Sequence, residues 1–247
     1  MAPTKIEAII LKRSDFRETS VILSLYTGQF GKIRCILKGV RKSKGRVPPL
    51  AFTPGSSIFA FFYMRRSELG LLSSPSLIEA NEMKSKENLV VWHTVLNLVN
   101  LFTPEKEKEE KLFELLKGIG KMLPDSRSPE ILYICFKLRL IKILGYGIQL
   151  NRCIICNNPE KTSLFSGKLG GIVCQECSKK DVYSVKISQS VLGIMRQFEK
   201  MDFERLGVIK QVPLEILLKI NFYTNIILNY QTGFNNIWWE NEKNILQ

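Results

Sequence analysis

Histidine is nearly absent from this chain: His93 is the only one. It is followed by Thr94-Val95, and neither Cys-x-x-Cys pair follows a proline. A zinc deaminase needs His-x-Glu ahead of Pro-Cys-x-x-Cys, so that enzyme class is excluded. Long apolar runs are missing too. No stretch reaches the roughly 18 uncharged residues of a membrane-spanning helix. Met1-Ala-Pro-Thr-Lys5 leads only into the short run Ala8–Leu11 before Lys12-Arg13, so no signal peptide is expected. No Gly-x-x-x-x-Gly-Lys-Ser/Thr loop occurs to cradle phosphates, which argues against NTP hydrolysis. The basic N-terminal third has no carboxylate cluster of the kind a metal-dependent nuclease needs. These absences describe a cytoplasmic protein that binds rather than catalyses, with no membrane partner.

Cysteine is present, and its spacing is informative. Cys153-Ile-Ile-Cys156 and Cys174-Gln-Glu-Cys177 are separated by 17 residues. Two residues between thiols let one tight turn aim both sulfurs at one ion, and two such turns complete a tetrahedron of soft ligands. Asn157-Asn158-Pro159, Gly167, Gly170 and Gly171 between the pairs suit a turn and a small β-hairpin. The expected cofactor is one structural Zn²⁺ per chain, because four thiolates leave no open coordination position. Iron in a rubredoxin-like site uses the same ligands, and local redox pairs or disulfides would need an oxidising compartment. Cys35 and Cys135 stand alone in apolar patterns and read as small buried hydrophobes.

Charge is plentiful but uneven. The chain carries 36 Lys+Arg against 23 Asp+Glu, a net +13, and residues 1–80 alone hold 13 against 5. Residues 181–247 hold 7 against 7. Concentration of the excess in the first third predicts a polyanion partner there, with nucleic acid the first candidate.

That first third reads as β. Lys5–Lys12 and Ser20–Thr27 are short aliphatic runs around a polar loop at Arg13–Thr19, and Gly28-Gln-Phe-Gly31 is a turn. In Lys32–Lys38, Ile33, Cys35 and Leu37 take one face while Lys32, Arg34 and Lys38 take the other, which predicts a half-buried strand with a basic outer face. Gly39–Arg46 follows as a cationic loop containing Arg41, Lys42, Lys44 and Arg46. Ser57–Met64 places Phe59, Phe61 and Tyr63 opposite Phe62, and Leu69–Ala80 supplies the last strand or two around Ser73-Ser-Pro75. About five short antiparallel strands suggest a small barrel, with the OB-fold the best match.

After Ala80 the period becomes helical. Leu89, Trp92, Leu96 and Val99 mark one helix, and the run Glu105–Glu110 reads as the solvated start of the next, which carries Leu112, Leu115, Leu116, Ile119 and Leu123. Ser128 and Pro129 open a helix to about Leu144. Further helices are expected at Ser188–Met201 and Pro213–Gln231, and the tail from Trp238-Trp239 is expected to be loosely ordered. The predicted class is α+β: an antiparallel OB-fold barrel over residues 1–80, then a helical domain over 81–247 with the four-cysteine zinc module inserted at 151–180.

The run Ile9-Ile-Leu-Lys-Arg-Ser-Asp-Phe-Arg-Glu-Thr-Ser-Val-Ile-Leu-Ser-Leu-Tyr-Thr27 resembles the opening of the bacterial RecO family, the recombination mediators. So do Gly31-Lys32, Lys38-Gly-Val-Arg41 and the later paired cysteines. The resemblance spans most of the chain in order and element type, and its N-terminal part is the specific one. It implies an OB domain followed by a helical domain with a zinc finger, and binding and annealing of DNA, single- and double-stranded. It also implies partnership with RecR, contact with the acidic C-terminal tail of the single-strand binding protein, and indirectly the loading of RecA in the RecF pathway of DNA repair. Some members of the family lack the cysteines, which argues that zinc supports the fold.

A single strand needs cations along its phosphates and aromatic platforms for its bases. The candidate DNA-binding residues are therefore Lys32, Arg34, Lys38, Arg41, Lys42, Lys44 and Arg46, with Lys12, Arg13 and Arg17 extending the track. Phe16, Tyr26, Phe30 and Phe52 are the nearby rings. The alternative is a zinc-containing OB-fold factor that binds RNA.

Overall fold

A computed structural model describes residues 2–40, 52–64, 69–159, 162–181, 183–201 and 211–233. Alternating aliphatic residues build strands β1 (Thr4–Phe16), β2 (Ser20–Thr27), β3 (Gly31–Leu37), β4 (Ser57–Tyr63) and β5 (Gly70–Glu79). They close a barrel in the order β1-β2-β3-β5-β4, with β3 and β5 parallel and the other pairs antiparallel. This is the expected barrel. Its interior is filled by Ile6, Ala8, Ile10, Leu23, Leu25, Ile33, Cys35, Ile58, Phe62 and Leu72, among others.

β1 is longer than its apolar pattern indicates. Arg13–Phe16, expected as loop, continues the strand and pairs with β2 as far as Phe16 with Ser20. The turn is cut to three residues, with Arg17 at φ +54. Within the strand lies an irregularity between Ile10 and Lys12, where Leu11 has no partner on β2. One extra residue exchanges the two faces of a strand. Residues 6, 8 and 10 therefore point into the barrel, while Lys12, Ser14 and Phe16 share the outer face with Ser24 and Ile22.

Two helices follow. Ser85 accepts a hydrogen bond from the Asn88 N–H and caps α1 (Lys86–Phe102). The second, α2 (Glu110–Met122), ends in a 3-10 turn at Leu123–Asp125. Both pack with the barrel in one compact unit, Met1–Ser126. Trp92 of α1 sits against Gly55, which has φ +93 and whose missing Cβ would lie 1.9 Å from the indole nitrogen. Only the absent side chain lets that loop approach the helix.

Residues Arg127–Gln247 form the second unit. Pro129 occupies the first turn of α3 (Pro129–Ile143), whose sides are buried almost all round. Lys137, fully buried within α3, donates to Asn221 Oδ1 at 2.8 Å and to Asn225 Oδ1. Those asparagines lie one turn apart on α5 (Leu214–Thr232), so the ammonium replaces its water with amide oxygens. Between α3 and α4 (Gln189–Lys200) runs a small sheet of β6 (Thr162–Ser166), β7 (Gly171–Cys174) and β8 (Val185–Lys186), ordered β7-β6-β8. Among the described residues no helix is long and apolar enough to cross a membrane.

Candidate nucleic-acid interface and metal centre

The outer face of β1, β2 and β3 carries a grid of side chains set by strand register. Lys12, Ser24 and Arg34 stand side by side across the three strands; Ser14, Ile22 and Ile36 form the next row. Strands about 4.8 Å apart place the two outer Cα atoms of a row roughly 10 Å from each other. Lys12, Ser14, Ile22, Ser24, Lys32, Arg34, Asn100 and Glu105 line a depression of about 290 Å³. Three of the expected cations, Lys12, Lys32 and Arg34, therefore meet in one groove.

The others are distributed differently. Lys38 is exposed just past the end of β3. Arg13 pairs across with Leu23 rather than Ser24, which puts it on the face opposite Lys12, and its Nη2 lies 3.7 Å from Asp15 Oδ1. Arg17 stands 5.2 Å over the Phe16 ring. Arg41, Lys42, Lys44 and Arg46 lie outside the described residues, as does the Trp238-Trp239 tail. Of the four candidate rings, Tyr26 and Phe52 are buried, and Phe30 packs on Phe62 with centroids 5.5 Å apart. Phe16 remains half-exposed, on the same face as Lys12 and Ser14. Phe59 and Phe61 face outward from β4 and are exposed, whereas Phe62 joins the core.

Two groove residues come from a segment outside the basic strand and loop. Glu105 lies in the run read from sequence as a helix start, yet α2 begins only at Glu110, and residues 105–109 dock instead on β3. Lys106 N–H donates to Lys32 O at 2.8 Å, Glu105 pairs with Lys32 as a parallel bridge, and Tyr26 Oη donates to Glu109 O at 3.5 Å. Glu105 Oε1 is thereby held 3.9 Å from Arg34 Nε. Asn100, near the end of α1, accepts from Ser24 Oγ at 2.8 Å through Oδ1, and its main-chain oxygen accepts from Lys32 Nζ at 2.7 Å. α1 has no basic residue in its own last turn, so Lys32 supplies the cation at the negative end of that helix. Burial holds the Lys32 ammonium below its ordinary pKa; the Glu105 carboxylate opposes this and Arg34 adds to it. Neither Asn100 nor Glu105 could be found from local pattern, because their place at the groove depends on where α1 ends against the barrel.

In the second unit the four cysteines converge. The Sγ atoms of Cys153, Cys156, Cys174 and Cys177 all lie within 4.8 Å of one another. Cys156 and Cys174 are 3.8 Å apart, which matches the tetrahedral edge of about 3.8 Å implied by a Zn–S bond of about 2.3 Å. The first knuckle is a turn: Asn157 N–H donates to Cys153 O at 2.8 Å, and Asn157 takes φ +63, which asparagine tolerates better than most residues. Cys174 ends β7, and its N–H donates to Cys153 Sγ at 3.4 Å, while Cys177 N–H donates to Cys174 Sγ at 3.4 Å. N–H groups aimed at sulfur favour thiolates. For Cys153 burial opposes charge, but main-chain donors from Cys156, Cys174 and Ile155 outweigh it and bring the thiol down to about 6. The donor set fits a soft or borderline divalent ion closed off from substrate.

Comparison with known proteins agrees in both units. Residues 1–81 match the family model for the N-terminal part of recombination protein O, and residues 87–230 match that for its C-terminal part. The chain is 30% identical over 227 residues to the DNA repair protein RecO of Bacillus velezensis, covering 89% of this chain and 88% of that one. It is 28% identical over 211 residues to the protein of the same name from Listeria monocytogenes serotype 4b, covering 85% and 82%. Against that of Bacillus subtilis strain 168 it is 28% identical over 208 residues, covering 83% and 80%.

Proposed function

Since this chain belongs to the RecO family, we propose that it is a non-enzymatic, DNA-binding mediator of recombinational repair that grips nucleic acid on the outer face of its barrel. The observation that carries this reading is the meeting of Lys12, Lys32 and Arg34 in one groove across β1–β3. A strand laid over that face sets its phosphates against cations, with Phe16 at the groove's edge for a base. Phosphate contacts of this kind hold a strand without reading its sequence. Cations along the face also reduce the repulsion between two complementary strands, which promotes annealing. Lys38, just past β3, lengthens the track, with Arg41, Lys42, Lys44 and Arg46 next in sequence as further candidates; Arg17 borders the other end, while Arg13 lies on the opposite face of β1 from Lys12.

Within the RecF pathway the partners are RecR and the acidic C-terminal tail of the single-strand binding protein, with RecA loaded as the outcome. The working place is the cytoplasm, at the nucleoid. The ion is one structural Zn²⁺ held by Cys153, Cys156, Cys174 and Cys177; a bound zinc ion would staple the two knuckles and contribute no chemistry to a substrate.

Competition between DNA and RNA strands of the same sequence tests the reading, alone and on DNA coated with single-strand binding protein. DNA should be bound and annealed, and Lys12→Ala with Arg34→Ala should weaken both. Preference for RNA, or binding indifferent to these substitutions, would overturn it.

A further inference from the structure

We infer that Glu105 is a resident counter-ion of the groove, occupying the phosphate position in front of Arg34 and limiting how tightly a strand is held. This deepens the proposed reading and rests on the strand crossing β1–β3.

Two of the three groove cations already have partners. Lys32 is committed to the carbonyl of Asn100 at 2.7 Å, and Arg34 faces Glu105 at 3.9 Å. Lys12 lines the groove with no ion pair among the described residues. The described lining residues thus offer three positive charges, of which one has no ion pair or hydrogen bond among the described residues. Among its described lining residues Glu105 is the only acid.

The carboxylate is not a drifting surface charge. Its main chain is fastened to β3 by the Lys106 N–H bond to Lys32 O at 2.8 Å. Gly31 lets the next turn of chain come closer still: a Cβ there would lie 1.7 Å from Glu107 O. The side chains of Arg34 and Glu105 are nonetheless 44% and 35% exposed, so an incoming phosphate can reach the pair. An exposed ion pair at this distance is weak. A guanidinium–phosphate contact is charge-assisted and can be bidentate, so phosphate displaces the carboxylate and Glu105 recaptures Arg34 when the strand leaves. The groove competes with its own ligand. A mediator that must give up its strand is served by such a displacer, because release does not leave Arg34 bare.

The test uses the full metal-loaded chain and a fluorescein-labelled oligothymidylate, with affinity measured over a salt series and dissociation by stopped flow. Glu105→Gln keeps shape and main-chain bonds, so its melting temperature should match wild type. It should bind about threefold to fivefold more tightly, mostly through slower dissociation. Its log–log salt slope should stay close to that of wild type, because displacement already leaves Arg34 on the same phosphate. The gain must depend on Arg34: in an Arg34→Ala background, Glu105→Gln should change affinity by less than about 1.5-fold, a coupling that only neighbours show. Glu114→Gln, an exposed acid on α2, controls for net charge and should have little effect. A gain that survives Arg34→Ala, or is matched by Glu114→Gln, would reduce the effect to overall charge and overturn the inference. So would a Glu105→Gln protein that binds no better than wild type. Lys12→Ala separates the two levels: if it weakens binding while Glu105→Gln changes nothing, only this inference fails, and if it too has no effect, the strand does not use the groove.

Discussion

Gly31→Ala is a demanding test of how the acidic segment is held on the barrel. Two costs are separable. Gly31 has φ +63, a conformation that costs an L-residue about 1–2 kcal/mol. The new Cβ would also lie 1.7 Å from Glu107 O and 2.6 Å from its carbonyl carbon, main-chain atoms that cannot rotate away. The segment has to shift, stretching the Lys106 N–H···O Lys32 bond, whose net worth is about 0.5–1.5 kcal/mol. The sum is about 2–3 kcal/mol, which for a unit of this size lowers the melting temperature by about 10 °C. Gly39→Ala isolates the first cost, since Gly39 has φ +75 and nothing within 4 Å of the built Cβ. Urea titration by circular dichroism of both variants gives the difference directly. We expect Gly31→Ala to be the less stable by at least about 1 kcal/mol, from the broken main-chain bond and the displacement. Equal destabilisation of the two variants would show that the segment is not clamped at Gly31, and the fixed position of Glu105 would go with it.

Burial, aided at Cys35 by the Glu105 charge, pushes Cys35 and Cys135 from 9.0 up to about 12, so neither should be alkylated by iodoacetamide at pH 8 in the folded chain. Because the unfolded thiols ionise near 9.0 and the folded ones near 12, their contribution to stability is full below about pH 9 and is lost as pH rises toward 12; a urea midpoint that does not fall over that window would contradict the assignment. Elemental analysis of protein purified under reducing conditions should find one zinc per chain, and Cys174→Ser should lose it while the barrel unit still melts cooperatively; metal-free wild type would refute the centre. Replacing Arg41, Lys42, Lys44 and Arg46 together by Ala should weaken single-strand binding alike for all sequences and flatten the salt slope by about 0.7 for each phosphate no longer neutralised. Unchanged affinity at every salt concentration would move the interface elsewhere, with Lys168, Lys179 and Lys180 beside the cysteines the next candidates.

What was legible in the sequence was local and periodic. The two Cys-x-x-Cys pairs show their own geometry, because a thiol pair on one turn has little freedom. The alternation of Lys32–Lys38 identified β3 and its basic face, and Pro129 marked the start of α3. What escaped was set by register between distant segments. An extra residue at Leu11 turns Lys12 outward and Arg13 away from it, and no run of residue types shows which of two adjacent cations lands in a groove. Tyr26 stands near the cations in sequence and so reads as a candidate ring, yet it is buried, with its hydroxyl donating to the main-chain oxygen of Glu109. Glu105–Glu110 looked like a solvated helix start because acids favour that place; only the barrel's edge beside it explains why the helix waits until Glu110.

The irregularity at Leu11 has a consequence for how this strand can change length over time. It makes one strand a wall of the core at one end and a wall of the groove at the other. Losing Leu11 would shorten β1 without disturbing either face, because Ile10 would still oppose Leu25 and Lys12 would still oppose Ser24. A second loss would find no irregularity left to absorb it and would bring Arg13 and Asp15 to the face now held by Lys12 and Ser14. Insertions and deletions along β1 are therefore governed by parity. Relatives that keep the groove can dispense with the one extra residue at Leu11 and should otherwise gain or lose residues there in twos.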